Sequence, residues 1–501
     1  MKKLQKINLI LFVSIISLVG LSTASAENSN GDSGAKAQTS TNDQFQVTFN
    51  RSADGYIGEH FSYQVKPSSV NDPGRPLPHY RSLLPVCTQP QDMTCIESVE
   101  SKLVSEENWT RATLSANQFD ESKISAESRK GYFEYGIWPA DKAAGMPAGG
   151  VASVWDMPKT AHSNGFSYVA NIQYLGQFNN GIQLSEFSVM LEPWSWACAA
   201  YNTCNFVGSV SGSGKNVFSE NVEFRITIRT NFLGSKIGSW AVGRLGKPTV
   251  NFTSEKLVIS GSPVTYPTAA ATLQTREECD RKIGATFKKH SPNAPNLCTY
   301  PAQAYSTDSN DLASLDLFGA LDQLVKQDGE VSRWTFSNVK DVNSSNKCMD
   351  SQGFSLATSN AMLYSVQPPV WNAKDGTLGY RLASTHADAN GRLNKGNYSL
   401  ALSKKMADCL WNFDTKKASA VLSITNDAGV QNIAISTLRT TPNWVYFDAS
   451  GFTFSSPEIK VKLVNSSSKA DIKTIKCYKG SIIKKIVGKN PVCPSGYKAK
   501  K

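Results

Sequence analysis

Histidine is scarce in this chain: five residues in 501, namely His60, His79, His162, His290 and His386. No two of them stand at metal-ligand spacing, so a histidine-built metal centre is not expected. The short patterns that carry known chemistry are also missing. There is no H-E-x-x-H, no G-x-S-x-G, no Walker loop and no dinucleotide fingerprint. Gly208–Lys215 holds glycines and a lysine, but the spacing is wrong and no Ser or Thr follows the lysine. It reads as a loop. His386 precedes Asp388, yet no nucleophile accompanies them, and Asp388–Gly391 (D-A-N-G) is a turn signature. No catalytic residue, metal ligand or cofactor is therefore nominated. After the first 26 residues no apolar run is long enough to span a membrane, so no transmembrane segment is expected in a mature chain.

What is present begins with an export pattern. Met1–Ala26 carries Lys2, Lys3 and Lys6, then an apolar stretch, then Ala24-Ser25-Ala26 before Glu27. This reads as a secretory signal peptide with an A-x-A cleavage site. Residues 27–44 are Ser, Asn, Gly, Thr and Ala with almost nothing apolar, and read as a disordered linker. All ten cysteines follow that linker. Neighbours in sequence are the expected partners: Cys87 with Cys95, Cys198 with Cys204, Cys279 with Cys298, Cys348 with Cys409, and Cys477 with Cys493. The expected location is secreted or cell-surface.

Charge is the second signal. The net charge is +11, but it is unevenly spread. From Ile459 onward twelve lysines face one acid, and the first six residues hold three more lysines, which leaves 27–458 at about −3. The basic character belongs to the ends, so it does not argue for nucleic acid along the whole chain. The last 29 residues, Lys473–Lys501, hold nine lysines and no acid. Thr474–Lys479 and the Ile482–Val487 stretch around Gly480 read as a small hairpin closed by Cys477–Cys493. Closing a loop of about 15 residues is worth roughly 3 kcal/mol, enough to hold a unit otherwise marginal in water. Lys476, Lys479, Lys484 and Lys485 are the candidate binding residues, for an anionic envelope polymer or a glycan rather than a nucleic acid. The order Lys476-Cys477-Tyr478-Lys479-Gly480, Lys484-Lys485, then Asn490-Pro491-Val492-Cys493-Pro494-Ser495-Gly496-Tyr497 resembles a short C-terminal module that closes exported actinobacterial proteins. The resemblance implies export and an extracellular or surface life.

The body reads as mainly β. Phe45-Gln46-Val47-Thr48-Phe49, Tyr168–Tyr174, Phe187–Leu191, Val222–Arg229 and Leu257–Ile259 are strand candidates in a first β domain, 45–268. A helical, disulfide-stapled segment is expected over 269–330. It opens on the capping box Thr275–Glu278 and contains the stripe Leu312, Leu315, Phe318, Leu321, Leu324 and Val325, which fits packing on a sheet. A second, immunoglobulin-like β-sandwich is expected over 331–464, with Ala420–Ile424 and Val430–Leu438 as a hairpin around Asn426–Gly429. Residues 465–501 form the basic module. The fold expected is thus two antiparallel β-sandwich-like domains, a short helical segment between them and a small disulfide-closed C-terminal hairpin. Ser359-Asn360-Ala361, Pro368-Pro369, Gly396-Asn397-Tyr398, Cys409-Leu410-Trp411 and Ala449–Thr453 resemble a domain recurring in uncharacterised exported actinobacterial proteins. That resemblance supports the 331–464 boundary and the Cys348–Cys409 pair.

Aromatic residues offer one further site. Glu192-Pro193-Trp194-Ser195-Trp196-Ala197-Cys198 places Trp194 and Trp196 on one side of an extended strand, beside the Cys198–Cys204 loop. Exposed, they would stack on sugar rings or anchor an interface; otherwise they are core. The leading reading is a secreted or cell-surface structural or binding protein, held by its cationic module. The alternatives are an extracellular hydrolase of polysaccharide or envelope polymer, and a carbohydrate-binding module.

Overall fold

A computed structural model describes residues 45–49, 63–64, 79–116, 134–135, 139–142, 145–150, 152–178, 182–199, 203–207, 217–290, 298, 302–305, 312–339, 346–351, 353–425, 435–454, 458–465, 473–479, 482–488, 493 and 496–499. The signal-peptide and linker expectations lie outside them. Residues 43–501 form one compact unit. It is mainly β, with several sheets and short helices.

One ladder organises the unit. Its strands run in the spatial order Ile435–Thr440, Trp444–Thr453, Lys395–Ser403, Ser355–Ser359, Trp240–Arg244, Lys326–Asn338, Ile182–Ala199, Ser167–Phe178 and His79–Leu83. Every pairing is antiparallel except Trp240–Arg244 with Ser355–Ser359. The middle strand, Lys326–Asn338, starts before the expected boundary at 330/331 and ends after it. Its first half pairs with Val264–Leu273, which in turn pairs with Phe45–Phe49. Strands from both expected β domains therefore share one set of backbone hydrogen bonds.

Two further sheets cover the ladder, one on each face. Gly246–Phe252, Lys256–Ser262, Val222–Thr230, Thr94–Leu103 and Thr110–Arg111 form a five-stranded sheet. Its inward residues Ile96, Val99, Phe224, Ile226, Ile228, Leu257 and Ile259 pack on Tyr168, Ile172, Val189, Trp334, Leu356 and Tyr446 of the ladder. Opposite, Thr377–Ala383, Glu458–Asn465 and Ala418–Thr425 form a sheet with Val370–Asn372. Leu378, Tyr380, Ile459, Val461 and Leu463 from it meet Trp240, Ala357, Leu400, Val445 and Phe447. Successive ladder residues thus enter opposite cores: Leu356 one and Ala357 the other, Tyr446 one and Phe447 the other. A strand buried on both faces reads as an unbroken apolar run, which is why Trp444-Val445-Tyr446-Phe447 shows no alternation.

Among the described residues, the strands expected to pair around Asn426–Gly429 pair elsewhere. Ala418–Thr425 pairs with Glu458–Asn465, whereas Ile435–Thr440 pairs with Trp444–Thr453 in the ladder. The two strands belong to different layers. Each packs against the same core from its own side, through Ala418 and Ala420 on one strand and Leu438 on the other. Burial in two sheets outweighs the local turn signal of a Gly-containing loop.

The helical segment is stapled as expected. Thr275 Oγ1 accepts the Glu278 amide at 3.1 Å, and the Glu278 carboxylate accepts the Gln274 amide at 2.7 Å. Cys279–Cys298 closes it, and Ile283, Leu315, Phe318 and Leu321 bury against Ala269, Ala271 and Leu273. Cys87–Cys95, Cys348–Cys409 and Cys477–Cys493 are also bonded. Cys198 stands opposite Cys204 in the backbone register, while their side chains lie outside the described residues. No described helix is long and apolar enough to cross a membrane.

Candidate anion-binding module

The C-terminal module is a three-stranded sheet. Lys473–Lys479 lies between Ile482–Gly488 and the short strand Lys498–Ala499. The first two strands match the sequence reading; Gly480, expected at the turn, lies outside the described residues. The third strand has no periodic signal, because two residues show none. The segment before it reverses through Gly496, whose φ of +83° falls in the left-handed region that suits glycine. Cys477 is fully buried and bonded to Cys493 across a separation of 16 residues. The module is therefore held by a covalent staple worth roughly 3 kcal/mol in the chain-entropy model.

Register decides what the sheet presents. Lys476 stands directly opposite Lys485, and Tyr478 stands opposite both Ile483 and Lys498. Residues opposite one another, or two apart on one strand, share a face. Lys476, Lys485 and Lys498 thus occupy positions on one face. Lys484, opposite Cys477, occupies the other, with Lys479. Lys476, Lys479 and Lys498 are exposed. The Lys479 ammonium lies 6.0 Å from the centre of the Tyr497 ring, at the outer range of a cation–π contact. Two like charges directly opposite in a sheet destabilise it. The module keeps such a pair, and no described carboxylate forms an ion pair with Lys476, Lys479 or Lys498.

The outer face of the five-stranded sheet is the contrast. There Arg225 grips Glu100 with two bonds of 2.7 Å, Arg229 reaches Glu97 at 3.0 Å, Lys256 reaches Glu97 at 3.0 Å, and Lys102 reaches Glu223 at 3.2 Å. Trp109 lies under Arg225, with the guanidinium 4.5 Å from its ring centre. These four cations share three carboxylates, Glu97, Glu100 and Glu223, across neighbouring strands.

The other residues singled out from sequence fall elsewhere. Trp194 is 1% exposed and packs with Leu83, Ala152, Val154 and Val169. An indole closed on all sides cannot stack on a sugar ring, so the binding role expected for Trp194 is corrected to a core role. Its strand, Ile182–Ala199, pairs within the ladder up to Trp194 and, among the described residues, continues beyond it paired with Thr203–Val207. The Trp196 side chain lies outside the described residues; its backbone stands opposite Phe206. His386 Nδ1 bonds the Phe454 carbonyl at 2.8 Å. Asp388 instead accepts the Asn390 and Arg392 amides at 2.8 and 2.9 Å, the turn expected of D-A-N-G. His162 is built into the fold: Nε2 faces the carbonyls of Ser167 and Trp194 at 2.9 and 3.0 Å, and Nδ1 accepts the Asn164 amide at 3.2 Å.

The chain matches no protein-family model, no curated protein and no solved structure. The functional reading therefore rests on the residues themselves. Sequence reasoning named Lys476, Lys479, Lys484 and Lys485 but missed Lys498, which only the third strand brings beside them. Its one signal was a lysine following Tyr497 at the edge of the disulfide loop.

Proposed function

We propose that this protein is a secreted or cell-surface binding protein, retained by its C-terminal module on an anionic envelope polymer. The observation that carries the reading is the register that sets Lys476 opposite Lys485 with exposed Lys498 beside it, while no described carboxylate forms an ion pair with Lys476, Lys479 or Lys498. Register fixes these cations close together, and an external polyanion supplies the charge that would offset their repulsion. Four disulfides are compatible with an extracellular location. The resemblance of the tail to a module of exported proteins supports the same compartment.

The test is retention on cells. The full chain should elute from envelope fractions as salt rises, because charges in water are screened over about 10 Å at 0.1 M. A chain lacking 473–501 should appear in the medium at low salt. Persistent cell association of the truncated chain would remove the module from any adhesive role.

A further inference from the structure

We infer that Cys348–Cys409 is a thiol-exchange site, at which a low-molecular-weight monothiol adds reversibly to Cys409. The inference is independent of the C-terminal module. Its first ground is access. Exchange begins when a thiolate attacks one sulfur of the bond, so its rate follows access to that sulfur. Among the described cysteine side chains, Cys409 is the only exposed one. Its partner Cys348 is half-buried and packs against the core. Cys279 and Cys298 are 2% and 0% exposed, and Cys87–Cys95 and Cys477–Cys493 each join a half-buried cysteine to a buried one. Charge favours the same bond. Lys405 is exposed one helical turn before Cys409, on the same face of the helix, and exposed Lys347 precedes Cys348. Cations beside a disulfide draw in an anionic thiolate and stabilise the one that leaves. Asp408 is adjacent to Cys409, but its carboxylate is committed to Lys404 and to the Thr415 amide and hydroxyl. At Cys279 the flanking residues are Glu277, Glu278 and Asp280, which repel a thiolate.

The second ground is that the fold holds the two sulfurs in place without the bond. The bridge joins the helices Lys347–Ser351 and Lys404–Trp411. Each is anchored separately. Trp240 Nε1 donates to the carbonyl of buried Met349 at 3.1 Å. Ser403 Oγ accepts the Met406 amide at 3.2 Å, and Met406, Ala407 and Leu410 are buried. An opened bridge therefore leaves Cys348 beside Cys409, and the step can reverse. The incoming thiolate forms a new S–S bond to Cys409 Sγ. The Cys348–Cys409 bond breaks, its electron pair stays on Cys348 Sγ, and that thiolate takes a proton from water. In the return step the Cys348 thiolate attacks Cys409 Sγ and expels the small thiol. The exposed cysteine carries the adduct and the inner one resolves it.

The experiment treats the oxidised full chain with glutathione, quenches with acid, alkylates free thiols and maps every bridge by mass spectrometry. Cys348–Cys409 should open first among the four described bridges, about tenfold or more faster than Cys279–Cys298, with the mixed disulfide on Cys409. Far-ultraviolet circular dichroism and tryptophan fluorescence should stay unchanged while this bridge alone is open. In Cys348→Ser the adduct should accumulate on Cys409, because no resolving thiol remains. In Cys409→Ser the half-buried Cys348 should gain it about tenfold more slowly. The wild-type measurements decide the matter where a serine variant does not fold. Opening of Cys348–Cys409 no faster than Cys279–Cys298, or an adduct chiefly on Cys348, overturns the assignment. Loss of the fold as soon as this bridge opens makes the bond purely structural and overturns reversible exchange.

Discussion

Arg244 is the residue whose replacement tests the architecture most directly. It ends the ladder strand Trp240–Arg244 and is completely buried. Nη1 donates to the Ala361 carbonyl at 2.6 Å and Nη2 to the Met362 carbonyl at 2.9 Å. The guanidinium also lies 3.4 Å from the Tyr266 ring centre and 4.8 Å from that of Tyr364. One side chain thereby ties together segments that sequence reading assigned to separate β domains. Arg244→Met keeps the volume but leaves two buried carbonyls without that donor, at about 1–3 kcal/mol each, and it forfeits a desolvated cation–π contact of about 2 kcal/mol. Relief of the buried charge offsets part of this, so the net loss expected is about 3–5 kcal/mol. Arg244→Lys should lose less, about 2 kcal/mol, because one ammonium reaches one carbonyl and stacks poorly. Urea denaturation of the oxidised protein, followed by tryptophan fluorescence and far-ultraviolet circular dichroism, reads the effect. With a slope of about 3 kcal/mol/M, Arg244→Met should lower the midpoint by about 1 M. Both probes should move together, since one ladder carries strands of both halves. An unchanged midpoint would refute the account of the bonds, and two transitions with only one displaced would refute the single cooperative ladder.

Four other outcomes are expected. Glu192→Gln breaks the nearly buried pair with Arg333, whose bond is 2.9 Å, and should destabilise by about 3–5 kcal/mol. Glu97→Gln, on the solvated outer sheet, should cost about 1 kcal/mol or less, and equal effects of the two in chemical denaturation would contradict the burial argument. His162 is held neutral: burial lowers its pKa, and its two nitrogens are already committed to two carbonyls and one amide. Its folded pKa lies below the unfolded value, so the unfolded chain binds the extra proton more readily. Stability should be intact above pH 6.5 and fall as pH drops below it. His162→Gln should flatten the stability profile between about pH 5 and 7, and an unaltered profile would assign the acid sensitivity elsewhere. Cys477→Ser with Cys493→Ser should remove roughly 3 kcal/mol from the module, read as faster proteolytic trimming of the tail with the body intact.

Legibility followed burial. Val222–Thr230 alternates because one of its faces meets the core and the other meets water, and its bounds were nearly correct from pattern alone. The capping box at Thr275 and the pairs Cys87–Cys95, Cys279–Cys298 and Cys477–Cys493 were readable because each is a local fact, fixed within about twenty residues. The ladder was not readable. Lys326–Asn338 looks like the start of a new domain, and nothing within it announces partners as remote as Val264–Leu273, Ile182–Ala199 and Trp240–Arg244. Trp194 shows the same limit at one residue. Two tryptophans two apart fix a common side of a strand, but whether that side faces water depends on Leu83, Val154 and Val169, brought there by other strands.

The charge pattern gains its meaning only when sequence and register are combined. A lysine count alone fits a solvated tail, since like charges in a flexible segment move apart and cost little. The module does not let them do so. Backbone pairing puts Lys476 opposite Lys485 and brings Lys498 next to them, while the Cys477–Cys493 bond prevents the strands from separating to relieve the repulsion. The same chain sets Arg225, Arg229, Lys102 and Lys256 beside the carboxylates of Glu97, Glu100 and Glu223 across the strand, so a sheet of this protein can hold cations next to acids. A covalently closed sheet that concentrates cations, in a protein whose five-stranded sheet sets cations beside acids, places the cost of that concentration where a polyanion repays it.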